Sequence, residues 1–367
     1  MRVETLLGRY GMTNLKEAYS GKTVLVTGHT GFKGSWLSLW LNHLGAKVVG
    51  YSLDPVDEKC NFNLSNVKDK VIDIRGDIND LEHMQKVFEE YQPDYVFHLA
   101  AQPLVLESYR NPVYTFQTNL VGTVHVLECI RHLEKPCIGI MITTDKVYEN
   151  NEEGRPFKED DKFGGYDPYS ASKATCEIAI SSYRLSFMNP KDYENHHKTI
   201  CSVRAGNVIG GGDFAMNRIV PDFMKAIEKK ETIILRNPQS VRPWEFVLEP
   251  LYGYLLLGAK CLEDPKAYAS AYNFGPDSET VRSVHDLVEE LKKHFDEVKV
   301  EVEHNENAPH EAELLLLDAS KAKEQLGWSP KYNFEDTIKV TATWYKEYYD
   351  VDPYELCIRQ IEDYMKE

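Results

Sequence analysis

Cysteine is sparse and unpatterned: the seven cysteines, at positions 60, 129, 137, 176, 201, 261 and 357, include no CxxC pair. Their scatter through apolar segments argues against a disulfide framework and suits reduced thiols. No apolar run reaches the length of a membrane span, and the charged stretch from Met1 to Lys22 is unlike a signal peptide. The expectation is a cytoplasmic protein with no membrane partner. Positive charge is in deficit, 42 basic against 58 acidic side chains giving −16, which disfavours nucleic acid and anionic membrane as partners. An anionic substrate must then meet a local basic pocket. Metal-ligand patterns are missing too, since the histidines lack spaced carboxylate or thiol partners, and His196-His197 reads as part of a polar, exposed loop. With no internal repeat or low-complexity tract, the chain of 367 residues is expected to form two lobes or one enlarged α/β unit.

What is present begins with a glycine turn. Thr23 to Thr27 is a β-branched strand, and the apolar Trp36, Leu37, Leu39, Trp40, Leu41 and Leu44 suit a helix packed on a sheet. Between them Gly28, Gly31 and Gly34 form GxxGxxG, with Thr30, Phe32 and Lys33 interleaved. Strand, glycine turn and helix together bring backbone amides and a positive helix end to a dinucleotide pyrophosphate. The next strand, Ala46 to Tyr51, ends without a carboxylate where an NAD enzyme holds the adenosine ribose; Asp54 comes late, and no arginine follows immediately to welcome a 2′-phosphate. The balance favours NAD over NADP. Asp77 and Ile78, after Gly76, are placed to meet adenine. Leu99, Ala100, Ala101 and Gln102 close a further strand, Tyr95 to Leu99, with small residues against which a cofactor can lie, and His98 reads as a satisfied core residue.

Strand and helix patterns alternate as far as about Arg204, which predicts a parallel sheet covered on both faces. Within this stretch stand Thr143-Thr144-Asp145-Lys146-Val147-Tyr148 and, downstream, Tyr169 and Lys173 as YxxxK. Residues four apart share a helix face, so the Lys173 ammonium can stand beside the Tyr169 phenol and favour phenolate, a usable base. Alone the motif is weak; after a glycine turn it reads as redox chemistry coupled to proton transfer. Gly210, Gly211 and Gly212 read as a flexible hinge leading to a smaller substrate lobe.

These residues resemble the extended short-chain dehydrogenase/reductases, and within them the sugar-nucleotide 4,6-dehydratases of the CDP-glucose kind. The resemblance rests on TGHTGFKGSWLSLWL at 27–41, TTDKVYEN at 143–150, YSASK at 169–173, RAGNVIGGGD at 204–213, RPWEFVLEPL at 242–251 and LDASKAKEQLGW at 317–328. It implies a Rossmann-type doubly wound parallel sheet with a smaller C-terminal substrate-binding lobe, residues 1–205 and 241–275 forming the first and 206–240 and 276–367 the second. It implies NAD as a recycled cofactor, a nucleotide-sugar substrate and a homodimer. By the same resemblance Tyr169 takes the C4 hydroxyl proton with Thr144 bonding the same oxygen, Lys146 is base and Asp145 acid for loss of water across C5 and C6, and Lys173 and Asn119 support them. Arg204, Asn207, Arg218, Arg242 and His310 are the implied substrate ligands.

Two departures stand out: Thr144 where the family more often has serine, and Arg242-Pro243-Trp244-Glu245-Phe246 where it has RPWQH. The second replaces a polar, potentially cationic side chain by Phe246 and adds the Glu245 carboxylate, a change that bears on the choice of sugar or nucleotide. A sugar-nucleotide 4-epimerase and a uronic-acid decarboxylase would share the glycine turn, Tyr169 and Lys173 but leave Asp145 and Lys146 idle. An inactive NAD-binding regulatory protein would be expected to have lost Thr144, Tyr169 or Lys173, and all three are present.

Overall fold

The structure, a computed structural model, describes residues 12–150, 154–235, 237–277, 280–295, 298–302 and 314–366. Its centre is a parallel sheet of seven strands: β1 (Thr23–Thr27), β2 (Lys47–Ser52), β3 (Ile72–Arg75), β4 (Tyr95–His98), β5 (Cys137–Ile142), β6 (Lys198–Ala205) and, later in the chain, Ala271–Phe274. Two short strands, β7 (Asn207–Ile209) and β8 (Ile233–Leu235), precede β9 (Val241–Phe246); Ala271–Phe274 is β10, and β11 (Val281–Ser283) and β12 (Val300–Val302) follow. The sheet order is β10-β6-β5-β4-β1-β2-β3. The chain therefore runs outward from β1 in one direction and then returns to run outward from β4 in the other. The carboxyl ends of β1 and β4, paired at Thr27 and His98, form the crevice where such a sheet binds its ligands.

Both sheet faces are covered, so β5 is a continuous apolar run, and β5 and β6 are buried along their whole length. The helices Phe32–His43 and Leu248–Glu263 share one large core cluster, in which Trp36, Trp40, Tyr254 and Leu255 are fully enclosed. A second cluster holds Val126, Leu127 and Ile130 of the helix Gly122–His132 and Cys176 and Ile180 of the helix Pro168–Ser186. A three-stranded sheet, β11-β9-β7, stands apart from the main one. Within the segment 241–275, β9 joins this small sheet and β10 joins the central one.

Two expectations need correction. Gly210, Gly211 and Gly212 are buried and tightly packed rather than a flexible hinge, because a Cβ on Gly211 would overlap the Trp344 ring and one on Gly212 would press on Asn61. His196 and His197 are half-buried rather than a free polar loop: His196 Nε2 donates to the Asn189 carbonyl at 2.8 Å, and its Nδ1 accepts from the Lys198 amide at 2.9 Å. All seven cysteines are free thiols, six of them buried, and among the described residues no helix is long and apolar enough to cross a membrane.

Gly211→Ala is expected to lower stability by about 1–3 kcal/mol, the usual cost of overpacking a core, through the Trp344 contact. Urea denaturation checks it; an unchanged midpoint would show that the Trp344 ring gives way freely.

Candidate active site

The glycine turn sits at the end of β1. Gly28 has φ +77°, and a Cβ there would come within 2.7 Å of the Ala100 amide nitrogen, so only glycine lets the turn approach the strand beside it. Gly31 donates to the Gly28 carbonyl at 3.0 Å and precedes the helix Phe32–His43, which begins without a side-chain cap; Gly34 packs on that same carbonyl. Uncapped amides at a helix start behind a cradle that any Cβ would fill suit a pyrophosphate. The Thr30 hydroxyl meets Ser52 Oγ at 2.8 Å and donates to the Leu53 carbonyl at 3.1 Å. Phe32 and Lys33, half-buried, follow on the first helical turn.

Across the crevice, Leu99, Ala100 and Ala101 are half-buried, and the Ala100 amide donates to Thr27 Oγ1 at 3.2 Å. Gln102 is buried and accepts the side-chain amide of Asn119 on its carbonyl at 3.1 Å while its own amide donates to Asn119 Oδ1 at 2.8 Å. Asn119 also donates to Ser172 Oγ at 2.8 Å, from a single π-helical turn, Gln117–Val121, so this asparagine joins the cofactor loop to the helix carrying Tyr169. Ile78 is buried beneath Gly122, and one carboxylate oxygen of Asp77 closes a turn onto the Asn79 amide at 2.9 Å. No arginine follows β2 directly; Arg75 of β3 reaches its end but is engaged, donating to the Leu53 carbonyl at 3.2 Å and to Asp73 at 2.8 Å, while Asp54 is largely exposed. His98 is the satisfied core residue expected, held between Thr27 Oγ1 at 2.7 Å and Thr123 Oγ1 at 3.0 Å; burial drives it down to about 3, and it stays neutral.

The reacting groups converge above β5. Asp167 caps the helix Pro168–Ser186 by accepting from the Ser170 amide at 2.9 Å, with Pro168 in the first helical position. Tyr169, the next residue of that first turn, is buried, and Thr144 acts to lower its phenol. Thr144 in turn caps the short turn Asp145–Val147 and donates to Asp145 Oδ1 at 2.8 Å. Lys146 Nζ lies 3.4 Å from the same oxygen. Gly206 leaves room beside this acid, since a Cβ there would stand 3.3 Å from Asp145 Oδ2 and 3.6 Å from Pro243. Thr144, Asp145, Lys146 and Tyr169 are therefore one cluster, with Arg218 within electrostatic reach of the phenol.

The electrostatics differ from the simple YxxxK picture. Burial pushes the Tyr169 phenol up, and the charges pulling it back are Lys146 and Arg218. Lys173, expected to supply that cation, instead donates to the Ile142 carbonyl at 3.2 Å, and burial pushes its ammonium down. Lys146 is 27% exposed and keeps its ammonium 3.4 Å from Asp145 Oδ1.

Arg204, expected to hold substrate phosphate, lies inside the protein. It is 1% exposed, bonds Glu177 through Nε and Nη2 at 2.9 Å each, and donates through Nη1 to Tyr148 and the Glu159 carbonyl. It sits on β6 with its side chain turned onto the helix Pro168–Ser186, which takes it out of the ligand set. Arg242 on β9 and Asn207 on β7 are half-buried in the small sheet, Arg242 donating to the Val241 carbonyl at 2.9 Å. Arg218, half-buried, pairs with Asp213 at 2.9 Å. His310 lies outside the described residues. Glu177 was not among the expected site residues, although an acid four places after Lys173, on the face that carries Tyr169, was a readable signal.

A doubly wound sheet with a glycine turn at its switch point and a Thr-Tyr-Lys set on β5 and the following helix defines a short-chain dehydrogenase/reductase of the extended kind. The chain belongs to the GDP-mannose 4,6 dehydratase family, which it matches over residues 25–341. It is 42% identical over 351 residues, 95% of this chain and 98% of the relative, to a CDP-glucose 4,6-dehydratase from Salmonella typhimurium strain LT2. A dTDP-glucose 4,6-dehydratase from Xanthomonas campestris strain B100 is 28% identical over 88% of this chain and 93% of its own. The fold is also that of a UDP-glucose 4-epimerase from Thermus thermophilus in complex with NAD, TM-score 0.75, at 25% identity over 88% of this chain and 99% of that one.

Glu177→Gln is expected to cost roughly 3–5 kcal/mol, as it strands the buried Arg204 charge. Burial works to raise the Glu177 carboxyl, but Arg204, Thr143 and Ser202 overcome it and leave it lowered. Its stabilisation is thus complete at neutral pH and drains away as the pH falls through and below the ordinary carboxylate range. Denaturation of both proteins across pH checks this; a difference that grows toward acid would contradict the sign.

Proposed function

We propose that this protein is an NAD-dependent 4,6-dehydratase of CDP-glucose, forming CDP-4-dehydro-6-deoxy-glucose and water. The observation that carries it is the cluster of Tyr169, Thr144, Asp145 and Lys146, in which Thr144 bonds Asp145 at 2.8 Å and Lys146 lies 3.4 Å from the same oxygen, so that an acid and an amine stand beside the groups that oxidise C4. Oxidation and re-reduction at C4 alone, as in an epimerase, leave that acid and amine without work. The cofactor's part is to accept hydride from C4 and return it to C6.

The chain's own residues handle the protons. Tyr169 takes the C4 hydroxyl proton, and Thr144 bonds the same oxygen as it becomes a ketone. That ketone acidifies the C5 hydrogen, which Lys146 removes while Asp145 protonates the C6 hydroxyl as it leaves. The 3.4 Å contact between them is at the long edge of a hydrogen bond, so a sugar hydroxyl can replace it. A proton is finally restored to C5, and two protons taken are balanced by two given. Arg218 and Arg242 supply the local basic pocket that a nucleotide diphosphate requires in a chain of net charge −16.

A homodimer is part of this reading. Leu106, Tyr109, Val113, Tyr114 and Val121, together with Ile178 and Leu185 of the helix Pro168–Ser186, expose apolar side chains around the helices that bear Asn119 and Tyr169. A cytoplasmic setting suits the seven free thiols.

Incubated with NAD⁺ and separately with CDP-, dTDP-, GDP- and UDP-glucose, the protein is expected to remove one water from CDP-glucose without net NADH, read by mass spectrometry. Change of stereochemistry in a UDP-sugar with no water lost would establish the epimerase instead. Lys146→Met is expected to slow water loss by about 10²-fold or more, the usual share of a positioned acid or base; full retention would make the Asp145–Lys146 contact merely structural. Sedimentation at micromolar concentration is expected to show a dimer, and a stable monomer would defeat that part.

A further inference from the structure

In a doubly wound sheet the 2′ position of the adenosine ribose is read at the end of the second strand. A carboxylate there accepts the 2′-hydroxyl, and an arginine nearby welcomes a 2′-phosphate. In this chain β2 ends in Ser52 and carries neither. The adjacent strand brings both. Arg75, the last residue of β3, stands in register opposite Ser52, and Asp73, two residues earlier on the same face, stands opposite Gly50.

These two side chains are tied to the glycine turn by two bridges. His29, the residue after Gly28, lies across β2 at Gly50, where a Cβ would overlap its ring, and its Nε2 donates to Asp73 Oδ1 at 2.7 Å. Burial lowers the imidazole against the pull of Asp73, so at pH 7 His29 adds no charge. The second bridge is the Leu53 carbonyl, which accepts from Thr30 Oγ1 at 3.1 Å and from Arg75 Nη1 at 3.2 Å. Phe62 packs against both ends, with the Arg75 guanidinium 4.9 Å from its ring centre and the His29 ring edge-on at 5.4 Å.

Arg75 therefore stands where an arginine takes a 2′-phosphate, but acids hold it. Its Nη2 donates to Asp73 Oδ2 at 2.8 Å, its Nη1 is on the Leu53 carbonyl, and its Nε lies 3.5 Å from Asp54 Oδ1. All three nitrogens face protein oxygens, and two carboxylates against one guanidinium leave the patch negative. Asp73, at 18% exposure, is the firm partner; Asp54, at 87%, is screened by water and holds weakly. We propose that Asp73 makes this chain select NAD over its 2′-phosphorylated form, by occupying the guanidinium fork that a phosphate would need. That role rests on the NAD-dependent part of the reading above and requires no particular sugar.

The full-length protein and the variants D73N, R75M and D73N/R75M are titrated calorimetrically with NAD⁺ and with NADP⁺, and the ratio of the two affinities is read. The parent is expected to favour NAD⁺. D73N keeps an oxygen for His29 Nε2 but loosens Arg75, and is expected to shift the ratio toward NADP⁺ by about tenfold or more, the usual worth of a hydrogen bond to a charged group. In D73N/R75M that gain should vanish, because it runs through the guanidinium. R75M alone bares two carboxylates and is expected to widen the preference for NAD⁺, a test that stands even if D73N fails to fold. A D73N ratio equal to the parent's, a gain that survives in D73N/R75M, or an R75M ratio that does not move overturns the proposal. So does a parent that binds NADP⁺ as tightly as NAD⁺. A parent that binds neither defeats the cofactor reading together with the selection. A parent that shows these ratios but removes water from no nucleotide sugar defeats the dehydratase reading and leaves the selection by Asp73 standing.

Discussion

The buried pair of Arg204 and Glu177 is the interaction on which the active site depends. Arg204 comes from β6 and Glu177 from the helix that carries Tyr169 and Lys173, and Glu177 also accepts from Thr143 and from Ser202 Oγ at 2.7 Å. Thr143 is the neighbour of Thr144. One ion pair therefore fixes the height of the Tyr169 helix over the sheet and the exit of β5 into the reactive turn. Tyr148, stacked on Phe157 at 5.0 Å and bonded to both Arg204 and Asn273, extends the same lock to the loop after that turn and to β10. Each polar atom in this network has a partner, which is the condition under which burying charge specifies one arrangement rather than several.

Above that lock the site works by withholding water. Tyr169, Lys173 and Lys33 are all displaced toward their neutral forms because burial is the largest influence on each. Tyr169 has no close cation strong enough to reverse this, so the phenol is a proton donor and acceptor near its neutral state and gains anionic character only when further positive charge arrives. Lys173, one turn on, is anchored by the Ile142 carbonyl at the end of β5 and so is held to the sheet rather than to the phenol.

The legible parts of the site are those made of contiguous residues. The Gly28 turn announces itself because a positive φ and a close approach to Ala100 leave no other residue possible. Thr144 to Lys146 are readable as a group because they sit on one short turn. Arg204 misleads: next to a glycine and an asparagine it looks like a phosphate ligand, and nothing local tells that its alternating position on β6 points inward to Glu177. The Gly210 to Gly212 run misleads for the same reason, since three glycines spell flexibility until Trp344, from far along the chain, is packed against them.

Sequence alone determined the α/β class, the dinucleotide turn, the grouping of Thr144 with Asp145 and Lys146, and the placing of Tyr169 and Lys173 on one helix face, because backbone geometry and helical spacing are local properties. Tertiary structure decided which charges those groups meet. It assigned Arg204 to Glu177 and brought Arg75 to the end of β2. The reason is physical: burial and Coulomb interaction depend on distance through the folded protein, and no pattern along the chain encodes that distance.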